Sequence, residues 1–240
     1  MIEKKIHQIF MDFGAGKKLE DNTVFLMSVN SIKDLMPDYE HKIWSEDDIV
    51  KLIGEEMPDL LSFYNELRYK IQKVDMGRYI ILYLEGGFYL DLDIIALKRF
   101  DDFLIQNTIF YKDRLGINDR KKKNEQTIGM DFLASPKGYK LWNIVLKDLV
   151  INYRKKEKMS IYDVWKGRFV LQTTGPYFIN RLLKEKGIKI KTQDIMCWSK
   201  ETELNEDNYY IKNYLTGSWL GTEGIPKDNF NKWKKDKKLK

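Results

Sequence analysis

The sequence predicts a single α/β domain with a mostly parallel central sheet flanked by helices. Three observations carry this reading. Short apolar runs of strand length alternate with longer stretches whose apolar residues recur at helical spacing, the order expected of strand–helix–strand units. A chain of 240 residues suits one domain with a full core. Its 43% hydrophobic and 32% charged residues are ordinary proportions for a soluble globular protein. The domain is expected over residues 1–228, with 229–240 as a basic C-terminal tail.

Residues 6–10 read as a buried first strand, followed by a loop at Gly14, Ala15 and Gly16. Residues 24–29 run into a helix, and 39–44 suit a second strand. Ser45 with Asp48 three positions on resembles a capping box and starts a helix through Ile53. Pro58 stands where another helix begins, and Leu60, Leu61, Tyr64, Leu67 and Ile71 follow at helical spacing. The pattern continues over 74–84 and stops at the pair Gly86 and Gly87, because glycine accepts the backbone that ends a helix. Residues 88–91 form the next expected strand, and 94–97 lead away from it. The polar, basic stretch 113–126 reads as a loop or flap. A strand at 132–135, a helix at 139–153, a turn at 173–176 and a helix at 177–186 come next, the last opened by Pro176. Short strands are expected near 188–190 and 209–211, then a turn at 216–219.

Composition removes several classes of chemistry. Cys197 is the only cysteine, which excludes an intrachain disulfide and a thiolate zinc site. His7 and His41 are the only histidines; the first reads as a satisfied strand residue and the second as solvated. No apolar run reaches the length of a membrane span. Residues 1–5 lead directly into the first strand, so a cytoplasmic protein is expected. The net charge of +6 and isoelectric point near 9.0 concentrate at 120–123, 154–156 and 232–240. Such clusters read first as solvated surface and a frayed tail; the functional alternative is peripheral contact with an anionic membrane, on its inner face. No nucleic-acid motif accompanies them, and no nucleic-acid partner is expected.

The stretch from Val74 to Asp93 carries the chemistry. Asp91 and Asp93 stand one residue apart where a strand ends, with Tyr89 on the same face. Paired carboxylates there suit one hard divalent cation, Mg2+ or Mn2+, which completes its shell with water and substrate phosphates. On the preceding helix Asp75 and Arg78 are three residues apart and share a face. Their neighbours Val74, Met76, Tyr79, Ile80 and Leu82 are apolar, so the helix should be buried and its two charges need partners.

These residues resemble, in order and spacing, the signature of the DXD-containing sugar-transfer family, glycosyltransferase family 32. That family includes yeast Golgi α-mannosyltransferases and bacterial capsular polysaccharide enzymes, and the segment is also similar to the catalytic core of large clostridial glucosylating toxins. Further blocks follow in family order: 6–10, with Phe10 where tryptophan is common; 37–39 with Trp44; 134–136; Thr174, Gly175 and Pro176; and Gly217, Ser218 and Trp219. The resemblance implies a GT-A fold and retaining transfer of a hexose from a nucleotide sugar. It implies that Ile9 and Phe10 flank the base, that Asp75 and Arg78 hold the donor sugar, and that Tyr89 and Asp91 lie at ribose and diphosphate. Asp93 becomes the direct metal ligand, Asp91 its neighbour, and Ser218 and Trp219 close over the diphosphate. Relatives often place a histidine or acid before the Ser-Trp pair. Here Asn213 is the expected substitute in the metal shell, together with Ser218, and Asp131 is expected to orient donor or acceptor.

The implied partners are a UDP-hexose or GDP-mannose donor and a saccharide or lipid-linked glycan acceptor, with Trp233 and the basic tail helping the chain reach a membrane. A sugar nucleotidyltransferase also uses paired carboxylates and a metal, but its glycine-rich basic loop is poorly matched by residues 14–18. A silent nucleotide- or carbohydrate-binding module is the alternative outside catalysis.

Overall fold

The structure, a computed structural model, describes residues 1–14, 16–106, 108–112, 128–157, 166–198, 206–223 and 225. The expected flap at 113–126, the basic cluster at 120–123 and the tail with Trp233 lie outside the described residues.

A six-stranded sheet forms the centre. Its strands, in spatial order, are β2 (Glu40–Trp44), β1 (Lys5–Ile9), β3 (Gly87–Leu90), β6 (Ile128–Ser135), β5 (Ile109–Lys112) and β7 (Thr192–Gln193). Three of its five pairings are parallel, and β6 runs antiparallel to both β3 and β5. One face packs on α2 (Glu46–Glu56), α3 (Leu61–Glu66), α4 (Lys70–Glu85), α5 (Lys140–Glu157), α6 (Lys166–Thr173) and α7 (Pro176–Glu185). Side chains alternate along β3, so Tyr89 enters this core while Phe88 and Leu90 enter the second. The second core lies under α1 (Thr23–Leu35) and a three-stranded sheet of β4 (Ile94–Ala96), β9 (Ile211–Asn213) and β8 (Met196–Trp198). In that sheet Ile94 pairs with Asn213, which brings the C-terminal segment beside the turn of Asp91 to Asp93.

α4 positions the site because it is buried nearly all round, as expected of a helix whose middle is apolar apart from Asp75 and Arg78. Gly77 permits the burial: a Cβ there would lie 3.0 Å from Ile49 Cδ1 and 3.2 Å from Ile9 Cδ1. The helix stops at Gly86 (φ +69, ψ −157), a conformation open essentially to glycine alone. Gly87 continues with φ +82, and a Cβ there would stand 2.5 Å from the Lys5 carbonyl oxygen. β1 and β3 can therefore approach only because this position carries no side chain.

Several expectations need correction. Residues 188–190 form no strand; β7 falls at Thr192–Gln193, and the strand expected at 209–211 begins at Ile211. Strands this short have too few residues for an alternation to show. The paired aspartates lie past the end of β3, in a turn closed by Ile94 N donating to Asp91 O at 3.1 Å. His41 is not solvated: it sits half-buried in β2, with Nε2 3.0 Å from Gln8 Oε1. His7 is fully engaged, since Trp44 Nε1 donates to its Nδ1 at 3.1 Å and its Nε2 donates to Gly86 O at 3.0 Å.

That pairing uses the neutral ring, and burial pushes the His7 pKa from 6.5 down to about 4. The unfolded chain takes up the proton first as pH falls, so stability present above pH 6.5 is lost toward pH 4, by up to about 3 kcal/mol from this residue. Urea titrations at neutral and mildly acidic pH should show the loss; an unchanged pH dependence in His7→Asn would refute its source. Gly87→Ala should cost about 2–4 kcal/mol, read from the urea midpoint, and a near-neutral result would contradict the close approach of Lys5.

Candidate functional site

The site is built around one guanidinium. Arg78 is 3% exposed and Asp75 4%, and Arg78 Nη2 lies 3.1 Å from Asp75 Oδ1 and 3.4 Å from Asp91 Oδ1. Arg78 Nη1 donates to Met130 O at 2.8 Å, which ties α4 to β6 across the sheet. The plane sits 5.0 Å over the Tyr89 ring, and the Tyr89 hydroxyl donates to Asp91 Oδ1 at 2.7 Å. Arg78 Nε is buried with no acceptor among the described residues, a donor suited to an oxygen acceptor of a ligand.

Asp75, which the resemblance assigns to the donor sugar, has internal partners: Arg78 takes Oδ1, and the Thr174 hydroxyl donates to Oδ2 at 2.7 Å. The α6–α7 turn is bonded to one face of α4 at three points. Gln72 Nε2 donates to Thr173 Oγ1 at 2.8 Å, and the Tyr79 hydroxyl donates to Thr174 O at 3.0 Å; the Thr174–Asp75 bond lies between them. Burial raises the Asp75 carboxyl, and Arg78 and Thr174 pull it back. Burial also opposes charge on Arg78, but Asp91, Tyr89 and Asp75 outweigh it and hold the guanidinium above its ordinary range. The hydroxyl aimed at Asp75 and the permanently charged guanidinium are the partners of a carboxylate.

Asp91 and Asp93 differ sharply. The Asp91 side chain is 31% exposed and backed by protein. Burial pushes its carboxyl up to about 7 against the pull of Arg78, with Asp131 and Asp93 adding like charge. Its backbone N–H donates to Asp131 O at 2.8 Å. Asp93 is held from the C-terminal segment, with Thr216 N and Oγ1 donating to its Oδ2 at 2.9 and 3.0 Å and Tyr214 N donating to its carbonyl at 3.0 Å. Its Oδ1 makes no hydrogen bond to a described residue. Asn213 sets this geometry: its Oδ1 accepts Leu215 N at 2.6 Å, an Asx turn that puts Leu215 at φ +50 and aims Thr216 at Asp93.

The remaining expected residues are placed as follows. Asn213 spends Oδ1 on that turn and donates Nδ2 to Asp131 Oδ2 at 2.6 Å, so its amide oxygen faces backbone rather than a cation. Ser218 is exposed and makes no hydrogen bond to a described residue, while Trp219 is half-buried against the helical core. Ile9 is buried, its side chain beside Gly77, and half-buried Phe10 packs on Phe25, Val29 and Leu92. Thr216 and Thr174, which touch the acids, were not singled out in the sequence. Thr174 belongs to a family-like block that implies no role for it, and Thr216 carries no local signal, because its partner is more than a hundred residues away.

No group of three acids, histidines or cysteines stands ready for a metal among the described residues. The donors present are oxygens: Asp93 Oδ1 and Asp91 Oδ2 have no hydrogen-bond partner among the described residues, with Asp131 behind them. This set fits a small hard cation, which is commonly held by one or two carboxylates and otherwise by waters and substrate phosphates.

Residues 23–110 match the model of the glycosyltransferase sugar-binding region containing the DXD motif. An uncharacterized glycosyltransferase of Acanthamoeba polyphaga mimivirus is 30% identical over 218 residues, covering 90% of this chain and 73% of that one. Inositol phosphoceramide mannosyltransferase 3 of Schizosaccharomyces pombe is 35% identical over 103 residues, 43% of this chain and 27% of its own length. The chain thus spans about a quarter of that yeast relative. Among solved structures, the PaToxG glycosyltransferase superposes with a TM-score of 0.54 at 18% identity, covering 77% of this chain and 70% of that one. The shared architecture is the GT-A fold.

Thr174→Val should destabilise the protein by about 1–3 kcal/mol, because it leaves a buried carboxylate oxygen without its donor; Thr174→Ser should restore most of the loss. Urea denaturation of both variants tests the bond, and equal stability of Val and wild type would remove it from the site.

Proposed function

Because the chain belongs to the glycosyltransferases whose sugar-binding region contains the DXD motif, we propose that it is a retaining, metal-dependent hexosyltransferase. Its donor is a UDP-hexose or GDP-mannose, its acceptor a saccharide or lipid-linked glycan, and its cation Mn2+ or Mg2+. The single observation that carries the reading is the buried guanidinium of Arg78, joined to Asp75 and Asp91 and with one donor still open, beside an Asp93 oxygen left free. Family membership sets aside the nucleotidyltransferase and binding-module alternatives. The name of the yeast relative, a mannosyltransferase acting on inositol phosphoceramide, supports mannose among the sugars and a lipid among the acceptors.

The chemical difficulty is breaking the anomeric C–O bond while negative charge gathers on the departing nucleoside diphosphate. Arg78 contributes fixed positive charge where its position cannot relax, which makes it effective as electrostatic stabilisation. Asp93 and Asp91 would hold the divalent cation, which when bound supplies further positive charge to the leaving group. Thr216 fixes Asp93 Oδ2 and leaves Oδ1 presented, the outer-shell role that orients a metal ligand.

Retention follows from a covalent intermediate or from front-face attack by the acceptor. Front-face attack is the better supported. Asp75 is buried with both oxygens engaged, and Asp131 Oδ2 is taken by Asn213, so neither is poised as a nucleophile. A glycosyl adduct on Asp75 or Asp131, seen by mass spectrometry, would overturn this part.

Asp93→Ala should leave the fold intact and reduce Mn2+-dependent hydrolysis of the accepted nucleotide sugar by roughly 100-fold or more. The assay screens UDP-glucose, UDP-galactose, their N-acetyl derivatives and GDP-mannose by release of nucleoside diphosphate. Full activity in the variant, or in wild type stripped of divalent metal, would sink the assignment.

A further inference from the structure

The outer helices carry a charge that the rest of the described chain opposes. Residues 136–157 and 166–191, which comprise α5, α6, α7 and their flanking turns, hold thirteen lysines and arginines against three acids. The other described residues hold fifteen against twenty-five. A modest overall charge therefore conceals one strongly basic side, and such asymmetry is the footprint of an anionic partner.

The acids that reach that side, Glu66 of α3 included through its ion pair with Arg154, are taken up by arginine. Asp148 pairs with Arg181 at 3.6 Å, Glu185 with Arg181 at 2.5 Å and Glu157 with Arg154 at 3.4 Å. They engage arginine and leave the lysine excess. Along α5, Lys140, Ile144, Lys147, Ile151 and Lys155 recur at steps of three and four and form one stripe. All five are exposed, Ile151 by 67% and Ile144 by 38%. The three lysines make no ion pair with a described residue. The stripe also has a direction. α5 starts where Gly138 N donates to Tyr83 O at 2.8 Å, near the end of α4. It reaches Tyr153, whose hydroxyl accepts Arg68 N at 3.3 Å, just before α4 begins. Its basic C-terminal end thus lies at the end of α4 that carries Asp75.

We propose that this outer face docks the protein on an anionic lipid surface, with the lysines at the head groups and Ile144 and Ile151 at the acyl boundary. Lysine is a compact, flexible point charge suited to diffuse attraction by head groups, each worth a roughly constant increment near such a surface. Nucleic-acid recognition favours arginine forks and stacked aromatic rings. Here Arg154 and Arg181 are occupied by acids, which leaves Arg168 as a single exposed arginine among many lysines, and the exposed large apolar residues among those described are all aliphatic or methionine. An isoleucine between basic residues suits an interface that offers both charge and hydrocarbon. The proposal stands independently of the transfer reaction, although a lipid-linked acceptor would be met on the same surface.

The test is sedimentation of the full chain with vesicles of phosphatidylcholine alone and of phosphatidylcholine with phosphatidylserine. Wild type should bind only the anionic vesicles and lose binding at high salt. Lys140→Glu combined with Lys147→Glu and Lys155→Glu should weaken binding at least about tenfold, and Ile144→Gln with Ile151→Gln should weaken it without altering the salt dependence. Lys33→Glu, on α1 across the sheet, should bind as wild type does. Hydrolysis of soluble nucleotide sugar should be unchanged in all three variants. Vesicle binding with this mutational pattern but no hydrolysis by wild type would defeat the transfer reading and support the docking face. Absence of wild-type vesicle binding, an undiminished triple variant, an equal loss in Lys33→Glu, or binding to duplex RNA in place of vesicles would overturn it.

Discussion

The buried guanidinium of Arg78 is the constraint on which the rest of this structure depends. A charge this far from water persists only if acids, a carbonyl and an aromatic face surround it. Those partners come from four places in the chain: Asp75 from α4, Tyr89 and Asp91 from the end of β3, Met130 from β6, and Thr174 behind Asp75 from the α6–α7 turn. Satisfying one side chain thus aligns helix, sheet and turn. The same requirement explains why Arg78 is flanked on α4 by Val74, Met76, Tyr79, Ile80 and Leu82 and why Gly77 lets the helix sink against β1 and α2.

Much of this was legible in the sequence. Asp75 and Arg78 stand out because charge inside an apolar helix demands partners, and Asp91 and Asp93 because acids after a strand and a glycine pair rarely lack a purpose. The capping box at Ser45 and Asp48 forms as expected, and α4 ends at the predicted glycine. What was not legible depended on distant pairing. The reversed direction of β6 leaves no local trace, since both of its faces are buried and parallel and antiparallel partners select the same residues. Thr174 and Thr216 are hydroxyls of a common kind, and only the fold shows that each meets an acid. Asn213 was read as a ligand because amide oxygens bind hard ions; the structure spends that oxygen on a turn. His41 was read as solvated from its polar neighbours, but β2 turns it toward Gln8.

Charge is organised on two scales. Within the site, burial and like charge raise Asp91 while Arg78 restrains it, so a small group of residues sets the local potential. Across the molecule, lysine collects on α5 to α7 while most acids lie on the other elements, α2 among them.

The small sheet of β4, β8 and β9 also has a consequence for the order of assembly. Asp93 receives its donors from Thr216, which takes its place only after β9 has paired with β4, more than a hundred residues downstream of that aspartate. During synthesis the central sheet and α4 can collapse first, with Arg78 already enclosed, while Asp93 still lacks the turn that orients it. The orientation of Asp93 therefore comes late in synthesis, once the segment beyond residue 213 has been made.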